Sequence, residues 1–205
     1  YIMGQLPEDG EEPAYMEMGN MSINCADAII EAFHFENLKI KVTDDNFFKF
    51  KNQAFHVTTF SWKNCEISDL VRTMWYQEVD APQKQIADKI VIENCRFFGL
   101  NSLLSGLFGL STKQDAPVHN FVFKNSTFHA KDLTKALITG LGSMTGELNV
   151  TVENCTFVSM APAAMTFFDL NPKNTSSFNL IVRNNLFSGV CEAGQGSWFT
   201  TRNIS

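Results

Sequence analysis

The chain has 205 residues, 44% of them hydrophobic and 19% charged, which predicts a packed globular core in one domain, or two small ones, and excludes intrinsic disorder. A formal net charge of -6 argues against a nucleic-acid partner, because phosphate contacts need clustered Lys and Arg. Phe is in excess, 19 residues against 3 Tyr and 3 Trp, yet the longest apolar-leaning stretch, Gly99 to Leu110, is too short to span a bilayer and is broken by Asn101, Ser102 and Ser105.

Residues 1–14 carry Glu8, Asp9, Glu11 and Glu12 among Pro and Gly, and read as a polar N-terminal arm. From Asn24 to Ala32 the chain predicts a short capping helix, which would cover the end of a sheet-built core. A repeat then begins. Its pattern is apolar, any, apolar, Glu/Lys/Arg, Asn, any, any, apolar. It reads FHFENLKI from Phe33, FSWKNCEI from Phe60, IVIENCRF from Ile90, FVFKNSTF from Phe121, VTVENCTF from Val150 and LIVRNNLF from Leu180. The Asn are Asn37, Asn64, Asn94, Asn125, Asn154 and Asn184, spaced by 27, 30, 31, 29 and 30 residues. A further match at Met16 puts Asn20 only 17 residues before Asn37, which is a short first coil or a coincidence.

Alternating apolar and polar residues before each Asn predict a half-buried strand, and Asn suits the sharp bend that follows. Period two resumes after the bend. A second apolar stretch follows, as at Leu70 to Tyr76, Leu103 to Leu107, Ala136 to Leu141, Ala164 to Leu170 and Ser197 to Thr200. Three short strands per repeat, with no helical periodicity, predict an all-β, right-handed parallel β-helix of six to seven coils over residues 15–205. Equivalent residues would stack one strand spacing apart, about 4.8 Å. The six Asn then form a ladder, and Ile40, Ile67, Phe97, Phe128, Phe157 and Phe187 form an inward stack. Two polar insertions, Gln77 to Asp88 and Leu110 to Pro117, read as loops on one side. The chain ends after Trp198-Phe199-Thr200 without a recognisable cap, so the natural protein is expected to continue.

Five cysteines without a C-x-x-C pair predict neither a zinc site nor a disulfide framework, but buried free thiols. Cys65 and Cys95 fall on adjacent coils, within disulfide reach; Cys95 and Cys155 are two coils apart. Asp44-Asp45 reads as a solvated turn, and Asp69, Asp132 and Asp169 as surface residues at comparable points of different coils. His34, His56, His119 and His129 read as isolated surface histidines. Sequons occur at Asn20, Asn125, Asn149, Asn154, Asn174 and Asn203, but Asn125 and Asn154 are ladder positions with no room for a glycan.

These repeats resemble the pectate-lyase-like right-handed β-helix proteins. VTVENCTF at Val150 and IVRNNLFSG at Ile181 are similar to the repeats of β-helix domains on the surface of, or secreted by, Bacteroidetes, often lipoproteins associated with polysaccharide utilisation. The resemblance implies an extracytoplasmic bacterial domain, part of a longer protein with a lipid anchor outside this sequence. The role it implies is non-catalytic and carbohydrate-associated, with a polysaccharide or oligosaccharide as partner, no cofactor and no resident metal. A polysaccharide lyase, the one reading that would bring Ca²⁺, a glycoside hydrolase, and a structural or adhesive spacer are the alternatives. Enzymes of this fold carry N-T-D, G-H-G, R-I-K or R-x-P-x-x-R strings, and this sequence has none of them. The candidate saccharide-binding residues are Arg72, Trp75, Tyr76, Lys131, Lys135, Trp198 and Arg202, because aromatic rings pair with apolar sugar faces and Arg binds carboxylates bidentately.

Overall fold

The computed structural model describes residues 1–5, 8, 11–23, 27–44, 46–50, 54–77, 85–101, 106–110, 118–132, 137–139, 146–160, 166–169, 176–190 and 197–199. Two short strands come first, β1 (Ile2–Met3) and β2 (Ala14–Met18). Strand triplets follow. They are β3 (Ala28–Glu36), β4 (Leu38–Val42) and β5 (Asn46–Phe50); β6 (Phe55–Lys63), β7 (Glu66–Ser68) and β8 (Thr73–Gln77); and β9 (Gln85–Glu93), β10 (Arg96–Asn101) and β11 (Phe108–Gly109). Next come β12 (Val118–Lys124), β13 (Thr127–Asp132) and β14 (Ile138–Thr139); β15 (Gly146–Glu153), β16 (Thr156–Val158) and β17 (Thr166–Asp169); and β18 (Ser176–Arg183), β19 (Leu186–Ser188) and β20 (Ser197–Phe199).

First, second and third members of the triplets build three separate parallel sheets, of seven, seven and six strands, β1 and β2 included. Each strand pairs with its equivalent one repeat away, as Phe60 with Ile90 and Phe97 with Phe128. The result is an all-β parallel solenoid with three walls. About four turns, from β6 to β17, lie between the two end triplets. Among the described residues there is no helix.

The core rows follow the repeat. Phe97, Phe128, Phe157 and Phe187 stack face to face, with ring centroids 4.8, 5.0 and 5.2 Å apart. Phe33 lies on Phe60 and Phe35 on Trp62 in the same manner. Parallel in-register strands put like rings at one spacing, so each stack hides large apolar area and keeps favourable offset geometry.

The bends obey a backbone constraint. All six repeat Asn have positive φ, from 49° at Asn125 to 58° at Asn37. Asn64 donates its amide to Asn37 at 3.0 Å, Asn94 to Asn64 at 3.3 Å and Asn154 to Asn125 at 3.1 Å. The amide nitrogen a glycan would need is already committed to the ladder at Asn154. A second bend, after the second sheet, also uses left-handed residues: Asp69, Gly99, Ser159 and Gly189.

The N-terminal region differs from the sequence expectation. The predicted capping helix is not formed: Ala28–Ala32 belongs to β3, while 24–26 lie outside the described residues. Ala28 and Ile30 stand opposite Phe55 and Val57, and this pairing outweighs the helix propensity of the local sequence. The first residues of the arm join the solenoid. Ile2 and Met3 pair with Phe35 and Glu36, and Gly4 donates its backbone N–H to the Glu36 carbonyl, as Asn37, Asn64, Asn94, Asn125 and Asn154 each do to the equivalent residue one turn on. Gly4 thus holds the bend position, and a Cβ there would clash with the Asn37 carbonyl oxygen. The match around Asn20 is a coincidence, since Met16 pairs with Ile40 in the second sheet.

Two variants separate the causes at the ladder. Asn125→Gly loses the bond from Asn154 but keeps the bend, whereas Asn125→Ala also strains the backbone. The Ala variant is expected to be less stable than the Gly variant by about 1 kcal/mol in urea unfolding. Equal stabilities would show that the amide bonds alone select Asn.

Candidate functional site

Of the residues expected to bind saccharide, Trp75 needs correction. It is fully buried, in line with Phe48 and Phe108 on the inner face of the third sheet, and packs 4.7 Å from Phe60. Neighbouring residues on a strand point to opposite faces, so only Tyr76 of that pair faces outward, half-buried between Lys49 and Gly109. Arg72 is exposed just before β8. Lys131 lies in β13 of the second sheet and Trp198 in β20 of the third, so they do not share a wall; their side chains, with Lys135 and Arg202, lie outside the described residues. The acidic candidates separate too: Asp69 is a bend residue, Asp132 ends β13, and Asp169 ends β17 in a different sheet. Asp44 is hydrogen-bonded by the Asn20 amide, and Asp45 lies outside the described residues.

The outer face of the first sheet is ordered in three parallel rows. The row nearest the bend alternates in charge: Glu36, Lys63, Glu93, Lys124, Glu153 and Arg183, in register on successive strands. Lys63 lies 3.6 Å from Glu93, Lys124 3.7 Å from Glu153, and Arg183 2.7 Å from Glu153. The hydrogen bond from Arg183 holds the Glu153 carboxyl below the usual Glu range, against the opposing effect of desolvation, and the charges of Arg183 and Lys124 add to it. The sequence carried this signal in the Glu/Lys/Arg slot of the repeat, whose sign alternates at each step.

Two residues back lies a mainly apolar row, Val91, Val122, Thr151 and Ile181. Two further back is a second amide ladder. Asn179 donates to Asn149 at 2.9 Å, Asn149 to Asn120 at 3.1 Å, and Asn120 to the Asp88 carbonyl at 2.9 Å. Unlike the bend Asn, these stand on the strand face; Asn120 and Asn149 are half-buried and Asn179 is exposed. Their spacing of 29 and 30 residues marks the same repeat, five residues before the motif's own Asn at 125, 154 and 184.

Three of the four histidines make side-chain contacts, and His129 is exposed. His34 Nδ1 contacts Ser61 Oγ one turn on, beneath the ring of Tyr1. His56 Nε2 lies 2.8 Å from Asp88 Oδ1, and His119 Nδ1 3.6 Å from the same oxygen. Two shallow depressions flank these contacts, one lined by Tyr1, His34, Glu36, Ser61 and Lys63, the other by Asp27, Ile29, Phe55, His56 and Ile86. Among the described residues no group of three His, Cys, Asp or Glu is arranged to hold a metal ion, and no helix is long and apolar enough to cross a membrane.

Behind the bend runs the row Leu38, Cys65, Cys95, Ser126, Cys155 and Asn185. These thiols do more than fill space. Cys65, Cys95 and Cys155 each donate to the carbonyl two residues earlier, at 3.2, 3.3 and 3.3 Å, and Ser126 does the same at 2.7 Å. Each of these carbonyls also accepts the backbone N–H of the bend Asn one turn back, so the small donor uses its second lone pair. Cys65, Cys95 and Cys155 are free thiols, while Cys25 and Cys191 lie outside the described residues. Burial, and the neighbouring Cys65 thiol, push Cys95 well up; accepting a hydrogen bond from Cys95 brings Cys65 down.

No protein family, curated protein or solved structure matches this chain.

The partner of the Glu153 carboxyl can be tested by titration of Glu153 itself. Its folded pKa lies below the unfolded value, so the stabilisation is present above the ordinary Glu range and is lost as pH falls through the folded value. Arg183→Ala is expected to move the Glu153 titration upward, read by carboxyl-carbon NMR. An unmoved titration would show that Arg183 is not the group holding it.

Proposed function

We propose that this chain is a non-catalytic, carbohydrate-associated domain that binds polysaccharide along the outer face of its first sheet. The observation that carries the reading is the in-register amide row of Asn120, Asn149 and Asn179 beside the apolar row Val122, Thr151 and Ile181. A carboxamide has two donors and two acceptor lone pairs. Asn149 spends one donor on Asn120 and accepts one bond from Asn179, which leaves hydrogen-bonding capacity for a ligand. A pyranose presents hydroxyl edges and an apolar C–H face, and the two rows offer a partner for each. They repeat at about one strand spacing, close to the length of a sugar unit. The adjacent charges are paired with one another, so they give an anionic chain no net attraction. The glycan class that fits is therefore neutral.

The same reading makes the solenoid a right-handed β-helix of six to seven coils of the pectate-lyase-like kind. It also puts the domain outside the cytoplasm, secreted or at a bacterial cell surface, within a longer, lipid-anchored protein. The likeness of the repeats supports both points.

Affinity electrophoresis tests the binding reading directly. The protein is expected to be retarded in gels containing one or more neutral polysaccharides. Asn149→Ala combined with Asn179→Ala should weaken retention roughly thirtyfold, at about 1 kcal/mol for each lost hydrogen bond, with unchanged circular dichroism. Retention only by acidic polysaccharides, or equal retention of the double variant, would reject the proposed face. No retention across a broad panel would favour the spacer.

A further inference from the structure

We propose that Cys65 and Cys95 form a disulfide between neighbouring turns when the protein meets a small-molecule disulfide oxidant, stapling the solenoid behind its Asn bend. The register fixes the pair. Asn94 donates to Asn64 at 3.3 Å on one side of it, and Glu66 pairs with Arg96 on the other. The Arg96 backbone N–H donates to the Cys65 carbonyl at 2.9 Å. The two residues therefore stand at the same height on adjacent strands, about 4.8 Å apart at Cα. That is inside the roughly 4.4–6.8 Å window of disulfides. Both side chains are buried in the same row.

The row offers no second pair of this kind among the described residues. Ser126 stands between Cys95 and Cys155, and its hydroxyl accepts the Cys95 backbone N–H at 3.0 Å. Cys155 is thus an internal control, equally buried but a turn too far away.

The chemistry is a two-electron exchange. Cys65, as thiolate, attacks one sulfur of the oxidant and expels the first small thiolate, giving a mixed disulfide. Cys95, as thiolate, then attacks the Cys65 sulfur and expels the second. The protein gains one S–S bond and loses two protons and two electrons. The oxidant's S–S bond is reduced, and the two released thiolates take up the two protons. Because both thiols are buried, the reaction proceeds on the unfolded chain or during opening of the turn.

The intact protein is refolded from urea in oxidised and reduced glutathione, alkylated with iodoacetamide and digested with trypsin. Cleavage after Lys63, Arg72, Lys89 and Arg96 separates the two cysteines into peptides 64–72 and 90–96. Mass spectrometry is expected to find these two peptides joined and Cys155 alkylated. The oxidised protein should melt roughly 5–10 °C above the reduced one. Cys65→Ser, which keeps a hydroxyl donor of the kind Ser126 supplies, should abolish the difference. Alkylation of both cysteines, linkage of either to Cys155, Cys25 or Cys191, or linkage without a rise in melting temperature would overturn the staple. These readouts follow thiols and melting rather than glycan retention, so this inference and the binding reading fail separately.

Discussion

A parallel sheet that returns to itself every turn needs a residue that accepts the left-handed conformation at the same point of each repeat, and Asn37 through Asn184 supply it here. Their common φ fixes where each first-sheet strand ends. The next residue then always starts behind the bend, and the inward residue two further on always falls on the stack that runs through Phe97, Phe128, Phe157 and Phe187. The aromatic core depends on this shared register, because a slip of one residue would turn each ring outward. The carbonyl before each of four bends, at Lys63, Glu93, Lys124 and Glu153, accepts a backbone N–H from the neighbouring turn and a second bond from the small donor behind the bend, Cys65, Cys95, Ser126 or Cys155. Leu38 holds the same position in the first triplet without a side-chain donor.

The interior was legible because its constraints repeat in kind. Asn at the bend and apolar residues at three fixed offsets recur in six segments, and the structure places them as their spacing predicts. Where a repeat substitutes a residue of another type, the sequence gives a weaker signal. Gly4 stands at the equivalent point for a different reason, the close approach of the Asn37 carbonyl, and its strand is two residues long, so the first pairing of the first sheet was hidden in a polar arm. The helix expected over 24–32 failed for a different reason. Ala-Ile-Ile-Glu-Ala is locally ambiguous, and the partner that decides, β6, lies some 27 residues away.

The outer face was harder to read because its rows vary in kind while keeping their register. The charge row alternates sign and the amide row begins only at Asn120. Each looks like ordinary surface composition until neighbours are aligned. The expectation for Trp75 fails for a clearer physical reason. Trp75 and Tyr76 were counted together, although adjacent strand residues must face opposite sides, and the bulkier, more apolar one took the core.

The two faces are therefore one problem. Rigid stacking inside holds outer side chains at a single spacing, so a row of three ordinary Asn becomes a periodic array without any loop or cleft to organise it. Such an array suits a ligand that is itself periodic and extended. It suits poorly a small molecule that must be enclosed on several sides. The pairing of charges beside it works in the same direction: by cancelling along the row, Glu93, Lys124, Glu153 and Arg183 keep a soluble face without creating a field that would favour one sign of ligand. On the binding reading proposed above, selectivity on this wall rests on hydrogen bonds and apolar contact at fixed intervals, in the register set by the Asn bends.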